Sequence, residues 1–129
     1  MIQQTGIYLT SIILGIMLFF SFVVAPVTFT TLDEENARKF IRKIFPYYYN
    51  VNLVISFLVL IIFIILKTFS LNFYLILLVT LLFALSSFIL MPLINKYRDE
   101  SKEKKFKNSH FISVVINFLQ MIFLVIILI

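Results

Sequence analysis

The sequence predicts an all-α integral membrane protein, a four-helix bundle with a short amphipathic interfacial helix between its first two spans. Three observations carry this. Hydrophobic residues make up 62% of the 129-residue chain, far above a soluble domain. Four apolar stretches are each about long enough to cross the hydrocarbon core. Nearly all the charge is confined to two connections between those stretches. One domain over 1–129 accommodates all of it.

Span one covers roughly 6–27. No Lys or Arg precedes it and no small-x-small cleavage site follows, so it reads as a span and not as a signal peptide. Ser11 and Gly15 form a small-xxx-small pair suited to close helix packing. Pro26 is expected to end or kink the helix.

The interfacial helix is expected over roughly 32–45. Thr31 to Glu34 has the form of a capping box, with Asp33, Glu34 and Glu35 in the first turn. Ala37, Phe40, Ile41, Ile44 and Phe45 line one face, and Arg38, Lys39, Arg42 and Lys43 the other. Glu34 can pair with Arg38 and Glu35 with Lys39. An apolar stripe under a basic face suits a lipid interface, with the four cations on anionic head groups. The alternative is a solvated loop helix. Pro46 is expected to stop the element, and Tyr47, Tyr48 and Tyr49 follow at head-group depth.

Span two covers roughly 48–66, with Asn50, Asn52 and Ser56 in its first turns. A short turn then implies an antiparallel hairpin with span three, roughly 73–94. Thr80, Ala84 and Ser87 share one face of that span, and Pro92 near its end mirrors Pro26. The charged stretch from Asn95 to Asn108 reads as a solvated, partly helical connector. Span four covers roughly 110–129. Its His110, Ser113, Asn117 and Gln120 fall within about 80° of arc, a polar stripe that should face the bundle interior. The two charged connections hold four and six Lys/Arg, the remaining turn one and the termini none. The positive-inside rule then puts both connections in the cytoplasm and both termini outside.

The chemistry is sparse. No Asp, Glu, Lys or Arg lies well inside a span, which disfavours proton relays and voltage sensing. There is no cysteine, no Gly-rich phosphate loop and no Ser/His/Asp set, so no catalytic residues and no metal site are assigned. No aromatic-plus-basic strand pattern points to nucleic acid. Asn50, Asn52, Ser56, His110, Ser113, Asn117 and Gln120 are candidates to line a polar cavity; for Asn50, Asn52, Asn117 and Gln120 the alternative is hydrogen bonding between helices two and four. His110 could act as an acid/base or hold haem, with Met91 or a second chain as the other ligand, or could simply anchor span four. No cofactor is expected otherwise. Pro26, Pro46 and Pro92 all map to one end of the bundle and are candidate hinges.

Phe22-Val23-Val24-Ala25-Pro26-Val27-Thr28-Phe29 followed by Phe45-Pro46-Tyr47-Tyr48 resembles the first half of a four-helix membrane family. Met91-Pro92-Leu93-Ile94-Asn95, Arg98-Asp99, Phe106, and His110 with Ser113 resemble its second half. This is the domain of unknown function 4149 family, the transmembrane-protein-205-like group. The resemblance implies a four-helix integral membrane protein whose bacterial members have no established activity, set in a bacterial inner membrane. Three functions are therefore expected to compete. The chain handles a small molecule or serves as a subunit of a membrane complex, with a partner protein or a second copy. It is a haem-associated redox enzyme using His110. Or it is a lipid-organising or assembly factor.

Overall fold

The computed structural model describes all residues 1–129. It contains four long helices, α1 (Ile2–Thr31), α2 (Glu34–Ile65), α3 (Leu71–Asp99) and α4 (Glu103–Leu128), each long and apolar enough to cross a membrane. There are no strands. The helices run up, down, up, down, and each packs on its two antiparallel neighbours, including α1 on α4. The charged connections, α1 to α2 and α3 to α4, lie together at what is here named the charged end.

Only 25 of 129 residues are buried, so the core is a narrow axial column. Ile13 and Met17 of α1, Val59 and Leu60 of α2, Ile76, Val79 and Phe83 of α3, and Met121 and Leu124 of α4 form most of it. The outer surface is also apolar, with Ile12, Phe22, Val54, Leu81, Phe88 and Phe118 among its exposed residues. A bundle apolar inside and out matches a lipid surrounding. At the level of Gly6 the first hairpin packs closely. A Cβ there would stand 3.5 Å from Ile62. Ser11 and Gly15 are exposed, and a Cβ on Gly15 would meet nothing, so this pair packs on no helix of the chain.

The helices outrun the expected spans, and the prolines are accommodated inside them. Pro26 does not end α1. A π-turn at Phe20–Val24 precedes it, with the Ala25 N–H donating to the Phe20 carbonyl, and the helix runs on to Thr31. Pro92 has the same setting, a π-turn at Ser86–Leu90 and the Met91 N–H donating to the Ser86 carbonyl. The extra residue in the turn relieves the clash between the proline ring and the preceding carbonyls, so the chain stays helical through membrane depth.

Pro46 does not stop its element either. The stretch expected as a separate interfacial helix is helical from Glu34, but it is the first part of α2, with Pro46 inside. Pro46 cannot donate to the Arg42 carbonyl. Aromatic packing on both sides of it offsets that loss. Phe45 stacks on Tyr49 at 5.7 Å between ring centroids, and Phe20 of α1 stacks on Tyr48 at 4.3 Å. At 32 residues α2 is about 48 Å long, well beyond the hydrocarbon thickness, so its basic part projects past the bundle's apolar column.

The cap of α2 also differs from the expected box. Thr31 is the last residue of α1, and Asp33 is the N-cap, accepting from the Asn36 backbone N–H at 3.4 Å and from its side-chain amide at 2.6 Å. Those two donors hold the Asp33 carboxyl below its ordinary range. The cap is therefore present at neutral pH and is lost only as pH falls through that lowered value.

The other two connections end their helices alike. Lys67 N–H donates to Ile64 and Thr68 N–H to Phe63, while Ser101 N–H donates to Arg98 and Lys102 N–H to Tyr97. Both are Schellman turns, and their left-handed positions carry Lys67 (φ 52°) and Ser101 (φ 57°) in place of glycine. Ser101→Gly is expected to stabilise the fold by about 1 kcal/mol, and Lys67→Gly similarly, by removing the left-handed penalty of a side chain. Unfolding in mixed detergent measures this, and an unchanged or lowered midpoint would refute it.

Candidate functional site

The polar side chains of the helices converge just inside the charged end. Ser21 lies in the π-turn of α1 and Ser87 in that of α3. Asn117 of α4 donates through Nδ2 to Ser21 Oγ at 3.0 Å. Its Oδ1 accepts from the Tyr48 hydroxyl of α2 at 2.7 Å, a bond across the bundle's diagonal. Ser87 Oγ donates to Asn50 Oδ1 of α2 at 2.7 Å. Each π-turn serine is thus bonded to an asparagine of the other helical hairpin. Asn117 ties α4 to α2 through Tyr48, the pairing that one of the two sequence readings names, whereas Asn50 bonds α3 and not α4.

One turn further from the charged end the pattern changes. Asn52 is fully buried, and neither its Oδ1 nor its Nδ2 has a partner. Gln120, 1% exposed, donates through Nε2 to the Val79 carbonyl at 3.1 Å, but its Oε1 has none. These groups share one depth. Tyr48 and Asn117 touch across α2 and α4, which run in the same direction. Asn52 is four residues on from Tyr48 and Gln120 three on from Asn117, advances of about 6 and 4.5 Å. Each orphaned buried amide group costs about 1–3 kcal/mol.

The rest of the expected set divides. Ser56 is fully buried and donates to its own helix at Leu53. Ser113 is buried and donates to the His110 carbonyl. Thr10 and Thr80 do the same one turn back, at Gly6 and Ile76. His110 does not join the cluster. It is exposed, one residue round α4 from buried Ser109, and stacks on Phe106 at 5.9 Å. Met91 packs against the core instead. No three His, Asp or Glu side chains are grouped to hold a metal ion. All ten buried polar residues are uncharged. The groove between α1 and α4, lined by Leu14, Leu18, Phe22, Phe118 and Met121, is wholly apolar and separate from the polar layer.

The basic face of α2 is largely occupied by the protein's own acids. Arg38 pairs with Glu34 and Lys39 with Glu35 at 3.1 Å, as their spacing predicts. Arg42 reaches α3, bonding Asp99 at 2.9 Å and the Asn95 carbonyl at 3.1 Å. Lys43 enters no ion pair. Arg98 lies over the Phe106 ring at 4.1 Å, tying α3 to α4.

Residue-by-residue reading missed Ser21 and Tyr48 as site residues. A signal for Ser21 exists. Ser21-Phe22-Val23-Val24-Ala25-Pro26 recurs as Ser87-Phe88-Ile89-Leu90-Met91-Pro92, with both serines five residues before their prolines.

The family described as "Domain of unknown function (DUF4149)" matches over residues 8–103. The chain belongs to the DUF4149 family. The match takes in both proline motifs and all of the site except α4's polar residues. This DUF4149 chain is also similar to an uncharacterized protein of Aquifex aeolicus (strain VF5), at 34% identity over 53 residues. That alignment covers 41% of this chain and 40% of the relative, so the match spans under half of either. No solved structure matches.

Asn117 makes two interhelical bonds, so Asn117→Leu is expected to destabilise the bundle by about 1 kcal/mol, and Tyr48→Phe by about half that. Unfolding titrations in mixed micelles check this. A double-mutant cycle between the two sites should show coupling, and strict additivity would sink the network.

Proposed function

We propose that this DUF4149 protein is a non-enzymatic membrane protein that accepts a small, uncharged, hydrogen-bonding molecule between Asn52 and Gln120. One observation carries the reading. Three amide atoms of these residues are buried, lack partners and lie at one depth in the bundle. Nδ2 of Asn52 offers donors, and the two carbonyl oxygens offer acceptors, so the guest must both donate and accept. It is neutral, because a charge there would meet no compensating group. By the positive-inside rule the charged end faces the cytoplasm of a bacterial inner membrane, and the site lies nearer that side.

The test is purification in nanodiscs, an absorption spectrum, and mass spectrometry of released small molecules. The expected result is a colourless protein with a neutral polar molecule bound, lost in Asn52→Leu while the variant stays monodisperse. With its orphaned amide gone, the guest-free Asn52→Leu chain should be no less stable than guest-free wild type, and more stable by up to about 1–3 kcal/mol. A band lost in His110→Ala would overturn the proposal in favour of a haem protein. An empty wild-type chain would overturn it in favour of a subunit, or of a lipid-binding factor if Lys43→Gln weakened binding to anionic vesicles.

A further inference from the structure

The two hairpins share more than a proline. In each, the first helix carries Ser-Phe-x-x-x-Pro, a π-turn that contains the serine, and a segment that follows the π-turn with the proline in its first turn, Ala25–Thr31 in one and Met91–Asp99 in the other. In each, the second helix carries an asparagine bonded to the other hairpin's serine. The two bonds are reciprocal, as an approximate twofold axis along the bundle would make them. Proline-interrupted apolar segments at matching positions in two halves of a membrane protein mark the moving parts around a site between the halves. A proline behind a π-turn is also where a long helix bends.

All side-chain hydrogen bonds that cross between the hairpins lie toward the charged end: Ser21–Asn117, Tyr48–Asn117, Ser87–Asn50 and the Arg42 bonds to Asn95 and Asp99. The unpartnered Asn52 and Gln120 atoms lie one turn behind them. We infer that Ala25–Thr31 and Met91–Asp99 are paired gate segments hinged at the π-turns, and that the Ser21–Asn117 and Ser87–Asn50 bonds lock the hinges themselves, so that the segments stay closed over the Asn52–Gln120 layer. The inference rests on the proposed function only for what passes the gate. The motion itself needs no ligand.

The chain has no cysteine, so single and paired cysteines can be placed freely. Ser56→Cys, a near-isosteric change at a fully buried position below the layer, reports water access through its labelling rate with a charged maleimide. Thr30→Cys with Lys96→Cys, exposed and equivalently placed after the two prolines, reports gate separation by spin-label distance. In nanodiscs, Ser21→Ala with Ser87→Ala should raise Ser56→Cys labelling roughly five- to tenfold, the effect of losing two ordinary interhelical bonds. It should also add a longer distance between positions 30 and 96. Pro92→Ala should do the reverse and slow labelling. Unchanged labelling and distances in the folded serine variant would overturn the gate. If that variant does not fold, Pro92→Ala decides alone, slowed labelling supporting the hinge and unchanged labelling overturning it. Because neither readout uses a guest, a working gate with nothing bound would sink the binding proposal alone.

Discussion

In hydrocarbon every backbone donor and acceptor must find its partner within the protein, and three of the four helices here carry a proline that disturbs this. The rest of the architecture follows from how the disturbance is absorbed. In α1 and α3 the helix widens by one residue before the proline. Threonine hydroxyls reinforce the segment after Pro26, Thr28 donating to Val24 and Thr30 to Pro26 itself. The widened turns hold Ser21 and Ser87, and each serine meets an asparagine on a helix of the opposite hairpin. Backbone repair and hairpin-to-hairpin bonding thus fall at the same places.

Pro46 is absorbed differently, and this shapes the charged end. With no π-turn beside it, continuity of α2 rests on the cluster of Phe20, Phe45, Tyr48 and Tyr49. The amphipathic stretch is continuous with the rest of α2 and reaches α3 through Arg42. Its apolar face then has protein to cover. Ala37 is 1% exposed, and Ile44 and Phe45 pack on the core. Its basic face has acids within reach, two on its own helix and Asp99 on α3. These exposed pairs each contribute little to stability. Ten of the chain's eleven Lys and Arg side chains nevertheless lie at this end, with Lys67 at the other, and it is this Lys/Arg bias that the positive-inside rule counts.

What the sequence made legible was what depends on composition and period. Four spans, their order and the short hairpin turn are properties of long apolar runs, and the structure keeps all of them. The i, i+4 ion pairs of α2 follow from helical spacing alone. The fate of each proline was not legible, because a break, a kink and a π-turn share one local sequence and packing decides among them. The cap moved from Thr31 to Asp33 for a similar reason. α1 ran past its proline and took Thr31 as its last residue. In α4 the polar arc correctly placed Ser113, Asn117 and Gln120 inward. It also put His110 in the inward stripe, but His110 lies at the rim of that arc and is exposed. Ser21 is an ordinary serine until the second copy of its motif is laid beside the first.

The weakness of the cross-hairpin bonds and the neutrality of the interior belong together. A buried ion pair costs several kcal/mol when one partner is removed, so it would fix the two hairpins in one arrangement. Amide and hydroxyl bonds between membrane helices average about 0.6 kcal/mol, close to thermal energy. An interior built wholly from such groups specifies how the hairpins fit without locking them. The buried amides one turn behind these bonds fit the same pattern. A rigid core would have no reason to tolerate Asn52, which leucine could replace at similar volume and with no orphaned atoms. On the proposed reading, its presence is a cost accepted in one arrangement and offset in another, when water or a neutral guest reaches the layer.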